Sequence, residues 1–458
     1  MEFTDELQRA PFGARQRLVM TSLGLLVLFD GMDTQMLGVV AHDMTRDLGL
    51  PMATFGIIFA IGLLGGVAGS LVMSPVADRW LGRKTIAISA MLVAGLSTLA
   101  TPSATGLATL LALRFVTGLG LGAALPSIFT LVGEFAPKRL ARPITACLTA
   151  FMPLGSLLGG LLARAVVPHH GWAMLLYVGG ALTLALTAFA SAVLPESVHF
   201  LLHIKRDAPA AIDIVRSYLS RPSISALRMR EEGSARGSRK PITLLFAGGL
   251  WKLTILLWIA FILNQGMLYF VLSWTPALLQ KSGLASTDGM NAASMFGIGG
   301  AIGTAAQGWL ARQLDIFRLM LIEIGLFVTA ILALPFVLSN AVLAPAIVFF
   351  VAFGICAYHS GFILLVTESY PDNARTTGFG WALGIGRIGA TGAPVIAGAL
   401  VAAGWSSGQV FDAAALPAVV SACALIGITV LFGRRAERVA AHVRTDAGQP
   451  LPRVQSAR

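Results

Sequence analysis

Charge is what this chain has least of. Only 12% of its 458 residues are Asp, Glu, Lys or Arg, about half the quarter that a soluble domain carries. Meanwhile 56% are apolar and the mean hydropathy is +0.78. That balance excludes a water-soluble enzyme. Cysteine is also sparse: Cys147, Cys356 and Cys423 each lie in an apolar run, without the even count or close spacing of a disulfide framework or zinc site. No Gly-rich loop ends in Lys-Ser/Thr, so ATP-driven transport lacks its phosphate cradle. GLGLG, shortly after Arg114, lies inside an apolar run and reads as close helix packing. The N-terminal MEFTDELQRAPFGARQR is polar throughout and has no pattern of a cleavable signal.

What the chain has in abundance is apolar runs of membrane-spanning length. A helix needs about 20 apolar residues to cross the hydrocarbon core, and twelve such runs are present. In the first half they are Leu18 to Gly38, Phe55 to Val76, Thr85 to Thr101, Leu107 to Leu131, Ile144 to Val167 and Ala173 to Val193. In the second half they are Leu250 to Leu278, Ala292 to Leu310, Leu319 to Leu338, Val342 to Val366, Thr377 to Ala402 and Ala413 to Phe432. The pattern predicts an all-α membrane protein with four parts: a six-helix half (1–195), a connector (196–241), a second six-helix half (242–435) and a tail (436–458). The segment AAIDIVRSYL in the connector reads as a short amphipathic surface helix.

Placement of the cations sets an expected orientation. Of 33 Lys and Arg, 27 fall in the termini and alternate loops of one face, and positive residues are retained in the cytoplasm. Both termini are therefore expected there, in a multi-pass protein of a bacterial-type inner membrane. The net charge of +11 then reads as an orientation signal and not as a nucleic-acid partner.

The two halves also repeat. An ungapped shift of 234 places GGVAGS (Gly65 to Ser70) on GGAIGT (Gly299 to Thr304), Gly120 on Gly354, Glu134 on Glu368, Pro137 on Pro371 and Gly155 on Gly389. Parallel repeats of this kind put a substrate site near the midplane between the halves. Where the halves differ is informative: Asp30 falls on Asn264, and Asp33 falls on Met267.

Charges at a helix centre cost about 2.5 to 3.5 kcal/mol each on insertion scales, so they face a wet cavity or one another. Asp30 and Asp33 in LFDGMDTQ share one helix face and form a protonatable pair if the helix continues past them. If it ends early, both lie in solvent. Arg114 and Arg387 are the deep cations; each is either a carboxylate receptor or an internal counter-ion for an aspartate. Asn264, Gln265, Tyr269, His359 and Trp381 supply candidate pocket groups. Tyr269 and Trp274 have interfacial anchoring as an alternative, and His359 has packing. Glu323 stands alone and reads as a packing or snorkelling residue.

The loop ADRWLGRK (Ala77 to Lys84) resembles the D-R-x-G-R-K/R signature of the major facilitator superfamily, and RFVTGLGLG resembles its fourth-helix arginine signature. DGMDTQ, YFVLSWTPALLQKSGL and GWALGIGRIGA are similar more narrowly to the aromatic acid:proton symporters of that superfamily. The resemblance implies proton-coupled import of benzoate-like, hydroxybenzoate-like or phenylpropanoid carboxylates, with Asp30 and Asp33 coupling protons. It assigns a conformational gate to Asp78, Arg79, Gly82, Arg83 and Lys84, and makes Arg114, Glu134, Arg375 and Arg387 sensitive positions. Beyond the gate loop, Glu134 is expected to pair with Arg139, and Glu368 with Arg375. One departure stands out: the signature's leading Gly is Ser74 here. The expected partners are a small aromatic carboxylate, protons and the lipid bilayer, with no cofactor beyond the coupling ion and a monomer as the functional unit. Other organic anions, drug efflux and a membrane sensor are the competing readings.

Overall fold

The computed structural model of the protein describes residues 12–205, 208–219, 245–246, 250–311, 313–370 and 372–446. Among the described residues there is no β-strand; each spanning segment satisfies its backbone hydrogen bonds within its own helix, one of the two arrangements a bilayer permits. The first helices are α1 (Ala14–Asp47), α2 (Thr54–Val76), α3 (Arg83–Ala100) and α4 (Leu107–Phe135). The helical stretch Lys138–Val193 folds back at Gly171, whose φ of +77° suits a residue without a Cβ, into two arms, 138–170 (α5) and 172–193 (α6). The second set is α7 (Trp251–Lys281), α8 (Ser286–Leu310), α9 (Ile316–Ala333), α10 (Leu343–Ser369), α11 (Asp372–Ala402) and α12 (Ala415–Asp446).

Among the described residues, ten helical segments are long and apolar enough to cross a membrane, one of them the folded α5–α6 pair. Counting its two arms, and α8 as a more polar helix of spanning length, restores the twelve runs read from the sequence. Large apolar side chains such as Leu71, Phe336, Val342, Leu416 and Val430 are exposed on the outside. In water such a surface is a liability; against lipid tails it is the expected finish. The connector segment beginning at Ala208 is helical, as its pattern predicts, and runs Ala208–Leu219.

The 234-residue repeat is a repeat of backbone contacts. Gly65 and Gly69 of α2 back onto the carbonyls of Phe115 and Leu119 in α4 so closely that no Cβ fits. Gly299 and Gly303 of α8 meet Phe349 and Phe353 of α10 in the same way, each 234 residues later. Likewise Gly155 meets Leu28, and Gly389 meets Ile262. Small residues at these points let helix axes approach until backbone packs on backbone.

The halves touch at one end of the bundle. Gly38 of α1 packs on Leu272 and Ser273 of α7, Gly56 of α2 on Pro394 of α11, and Gly160 of α5 on Ser294 of α8. Arg164 Nη1 donates to Asn291 Oδ1 at 2.8 Å across the same end. These contacts gather beside the α1–α2 connection. The opposite end carries the loop between α2 and α3.

Helix α1 runs past the expected stop at Gly38 to Asp47, with Met44 and Thr45 buried. Asp30 and Asp33 are therefore mid-helix, and the reading that places them in solvent beyond an early helix end is set aside.

Candidate functional site

Between the halves lies an open cavity lined by α1, α2, α4, α7 and α11. Helix α1 contributes Asp30, Asp33, Thr34 and Leu37; α2 and α4 contribute Phe59 and a glycine-lined wall of Gly62, Gly66, Gly118 and Gly122. Arg114 enters from α4, Tyr269 from α7 and Arg387 from α11. The rings of Phe59 and Tyr269 face each other across the halves with centroids 6.5 Å apart.

The two arginines differ in what holds them. Arg114 is 2% exposed; its Nη1 lies 3.6 Å from Asp33 Oδ2, and its Nη2 donates to Thr101 Oγ1. Asp33 also accepts from Thr98 Oγ1 at 2.7 Å. Arg114 is thus bound to a carboxylate of its own half. Arg387 is only half-buried, and its Nη1 reaches the Tyr269 hydroxyl at 3.4 Å. No carboxylate lies within ion-pair distance of Arg387 among the described residues. Asp30, also half-buried, lines the same space.

The other candidate pocket residues divide. Tyr269 is buried and lines the cavity, so it is not an interfacial anchor; neither is Trp274, which is fully buried and donates from Nε1 to Pro394 O at 3.1 Å. Asn264 and His359 bind one another, Oδ1 to Nδ1 at 2.7 Å, and neither is among the residues lining the cavity. Gln265 is buried with Oε1 unpartnered, also away from that lining. Trp381 is 43% exposed and stacks on Trp258 with centroids 5.9 Å apart. Six residues along a helix is about 600°, which turns Trp381 roughly 120° from Arg387. Glu323 is 4% exposed with Oε2 unpartnered, so burial in the helix packing, and not snorkelling, describes it.

At the α2–α3 end the signature loop forms a linked set of ion pairs. Gly82 has φ of +89° and lies so close to the Glu196 carboxylate that a Cβ would come within 2.6 Å of it, which accounts for glycine there. Arg83 Nε donates to Asp78 Oδ1 at 3.0 Å, and its Nη1 donates to Glu134 Oε1. Glu134 accepts in addition from the Ser197 hydroxyl at 2.7 Å and from Val198 N–H at 3.1 Å. Glu196 accepts from Lys84 N–H at 3.0 Å, tying α3 to the segment after α6. Arg79 is exposed. The side chains of Arg139, Glu368 and Arg375 lie outside the described residues, so the expected Glu134–Arg139 and Glu368–Arg375 pairs do too. Ser74, in the place of the signature's leading Gly, turns its hydroxyl onto its own helix at Ser70 O, 2.6 Å away, so the larger residue is accommodated.

A family model described as Major Facilitator Superfamily matches residues 23–394. The chain belongs to that superfamily. It is a multi-pass membrane transporter and not an enzyme. Among similar facilitators, the 4-hydroxybenzoate transporter PcaK of Pseudomonas aeruginosa is 32% identical over 419 residues, covering 88% of this chain and 90% of that one. The gallate transporter of Pseudomonas putida is 33% identical, covering 93% and 94%. The 3-(3-hydroxy-phenyl)propionate transporter of Escherichia coli is 30% identical, covering 93% and 97%. Among solved facilitator structures, the inward open xylose transporter XylE of E. coli superposes with a TM-score of 0.68 at 13% identity, covering 90% of this chain and 95% of that one.

Several groups at this facilitator's site escape a sequence reading. Thr98 and Thr101 sit three apart near the end of an apolar run, a spacing that puts both hydroxyls on one face, but nothing local says what they meet. Glu196 and Ser197 follow immediately on the last apolar run of the first half, in LPESVHF. That position, three and four residues beyond a spanning helix that ends at Val193, is the only sequence hint of their part in the loop network.

Proposed function

We propose that this facilitator imports aromatic monocarboxylates together with protons by alternating access, as a single chain in a bacterial inner membrane. The observation that carries the reading is the cavity itself. A half-buried guanidinium beside a phenol, with an aromatic ring opposite and an aspartate within the same space, offers a place for each part of an aromatic acid. Arg387 presents a planar donor fork to the carboxylate, the Tyr269 hydroxyl supports it, and the ring lies between Phe59 and the smooth glycine wall of α2 and α4. Arg114 has its own carboxylate in Asp33, so Arg387 is the receptor. The similarity to transporters of 4-hydroxybenzoate and gallate supports the same substrate class.

Asp30 takes the coupling proton in this reading. An anionic substrate arriving at Arg387 adds a negative charge beside Asp30, and a carboxylate in that position is relieved by protonation. The halves then close around a site whose net charge has changed little. With the cation-rich face in the cytoplasm, the contacts beside the α1–α2 connection close the outer side. The Asp78–Arg83–Glu134 set lies on the open inner side. In this arrangement Arg83 and its partners belong to the first half alone, and the opposite conformer would require the two halves to meet there instead. Only a few kcal/mol separate such conformers.

The test is uptake by proteoliposomes with an inward proton gradient. Labelled 4-hydroxybenzoate, benzoate and a phenylpropanoate should accumulate, and collapse of the gradient should end accumulation. A folded protein that concentrates none of them would sink the proposal. Concentration of a muconate or sugar acid in their place would move the substrate class while keeping the transport reading.

A further inference from the structure

Three buried hydroxyls at the end of one helix tie together the groups on either side of it. Ser97 and Thr98 of α3, and Thr101 in the turn that follows directly on it, are each 5% exposed or less. Thr98 Oγ1 donates to Asp33 Oδ1 of α1 at 2.7 Å, and Ser97 Oγ donates to Leu113 O of α4 at 2.6 Å. Thr101 Oγ1 gives its own proton to Ser97 O at 2.9 Å, leaving a lone pair that accepts from Arg114 Nη2. Between these anchors Asp33 and Arg114 meet at 3.6 Å, a loose ion pair by itself. A carboxylate so placed has two oxygens to satisfy, and Thr98 takes the one that Arg114 does not.

We propose that Thr98 is a positioning residue that fixes Asp33 as the standing counter-ion of Arg114, leaving Asp30 as the aspartate that exchanges protons with the cavity. The inference rests on the proton-coupled reading above. Its content is a division of labour that the sequence does not show, since Asp30 and Asp33 lie three apart on one helix face and read as equivalent. Without the Thr98 hydroxyl, Asp33 is free to turn toward the cavity. There it competes with substrate for Arg387 and leaves Arg114 buried with only Thr101. The groups that face Asp33 are Thr98 from α3, Arg114 from α4 and Asp30 on its own helix; across the cavity stand Tyr269 and Arg387.

Thr98→Val removes the hydroxyl at nearly constant volume, and Thr98→Ser keeps it. Because a hydrogen bond to a charged group is worth about a factor of ten or more, Thr98→Val should lower gradient-driven uptake of labelled 4-hydroxybenzoate about tenfold. Thr98→Ser should return it to within about twofold of wild type. Equal loss in Val and Ser, or no loss in Val, overturns the proposal. A second arm needs no substrate: in detergent, the Thr98→Val, Asp33→Ala double variant should melt no lower than Asp33→Ala alone, because alanine removes both carboxylate oxygens and with them the interaction that Thr98→Val removes. Additive losses overturn the proposal even if Val and Ser differ in uptake. Absent uptake by wild-type protein sinks the transport reading, and the melting arm then still decides whether Thr98 acts through Asp33.

Discussion

Arg114 and Arg387 stand at comparable depth in the two halves, yet one is enclosed and the other open. Arg114 is buried against Asp33 and Thr101 within the first half. Arg387 is half-buried, has a phenol for a neighbour and faces the space between the halves. A buried ion pair contributes little net stability but is costly to break from one side, because the remaining charge is left in a poor solvent. A guanidinium with no carboxylate within ion-pair distance among the described residues is what an incoming carboxylate needs. The lesson is that depth in the membrane locates a cation, while partners from other helices decide whether it is available.

The sharpest way to break the comparison is at the aspartates. Asp30→Asn should abolish gradient-driven accumulation while leaving substrate exchange across vesicles without a gradient, because the amide cannot carry the proton. Accumulation at the wild-type level would remove Asp30 from coupling. The arginines come next. Arg387→Lys exchanges a fork for a point charge and should raise the apparent KM about tenfold, with expression unchanged. Arg114→Lys should act on stability instead: the charge stays but the fork that reaches both Asp33 and Thr101 is lost, and a hydrogen bond to a charged group is worth about 1.5 kcal/mol or more, read as a lowered melting temperature, with the KM of the surviving protein close to wild type. If the two variants trade these effects, the assignment of receptor and counter-ion is reversed.

Much of the architecture was legible because it rests on periodic features. Apolar runs give the spans, and glycines that must sit against a carbonyl recur at a fixed offset, so Gly65 with Gly299 and Gly155 with Gly389 disclose the repeat without any coordinates. The end of α1 was not legible: HDMTRD reads as a polar loop, but Met44 and Thr45 are buried in the helix that contains them. The site was legible in kind and not in pairing. Asp33 and Arg114 are 81 residues apart, and the hydroxyl that completes their contact comes from a third helix. Nothing in the string of residues announces that Glu134 is met by Arg83 and by the segment after α6, because those contacts depend on where a loop turns back.

The gate gives a smaller expected effect. Glu134→Gln keeps the size of the side chain and one of its two acceptor oxygens, so it can accept from Ser197 or from Val198 N–H but not from both, and it removes the anion opposite Arg83. The pair is largely buried, its side chains 15% and 11% exposed, so solvent does not dilute it as it does a surface pair; a lost hydrogen bond to a charged group is worth about 1.5 kcal/mol, and uptake should fall by no more than about tenfold, with the KM unchanged. A loss as complete as that expected of Asp30→Asn would mean that Glu134 takes part in coupling and not only in the loop's ion pairs.

The smallest effect sharpens the same contrast within one helix. Trp381 and Arg387 lie on α11 about 120° apart by helical geometry. Trp381 stacks on Trp258 away from the residues that line the cavity, while Arg387 lines it. An aromatic residue so near a receptor arginine in sequence invites a place in the substrate pocket, and the face it occupies argues otherwise. Trp381→Phe should leave the apparent KM for 4-hydroxybenzoate within about twofold of wild type, the range of an exposed substitution away from a site. A tenfold rise would mean that α11 rotates during transport far enough to bring the face that carries Trp381 to the substrate. The openness of Arg387 would then describe one conformer of the cycle and not the site as a whole.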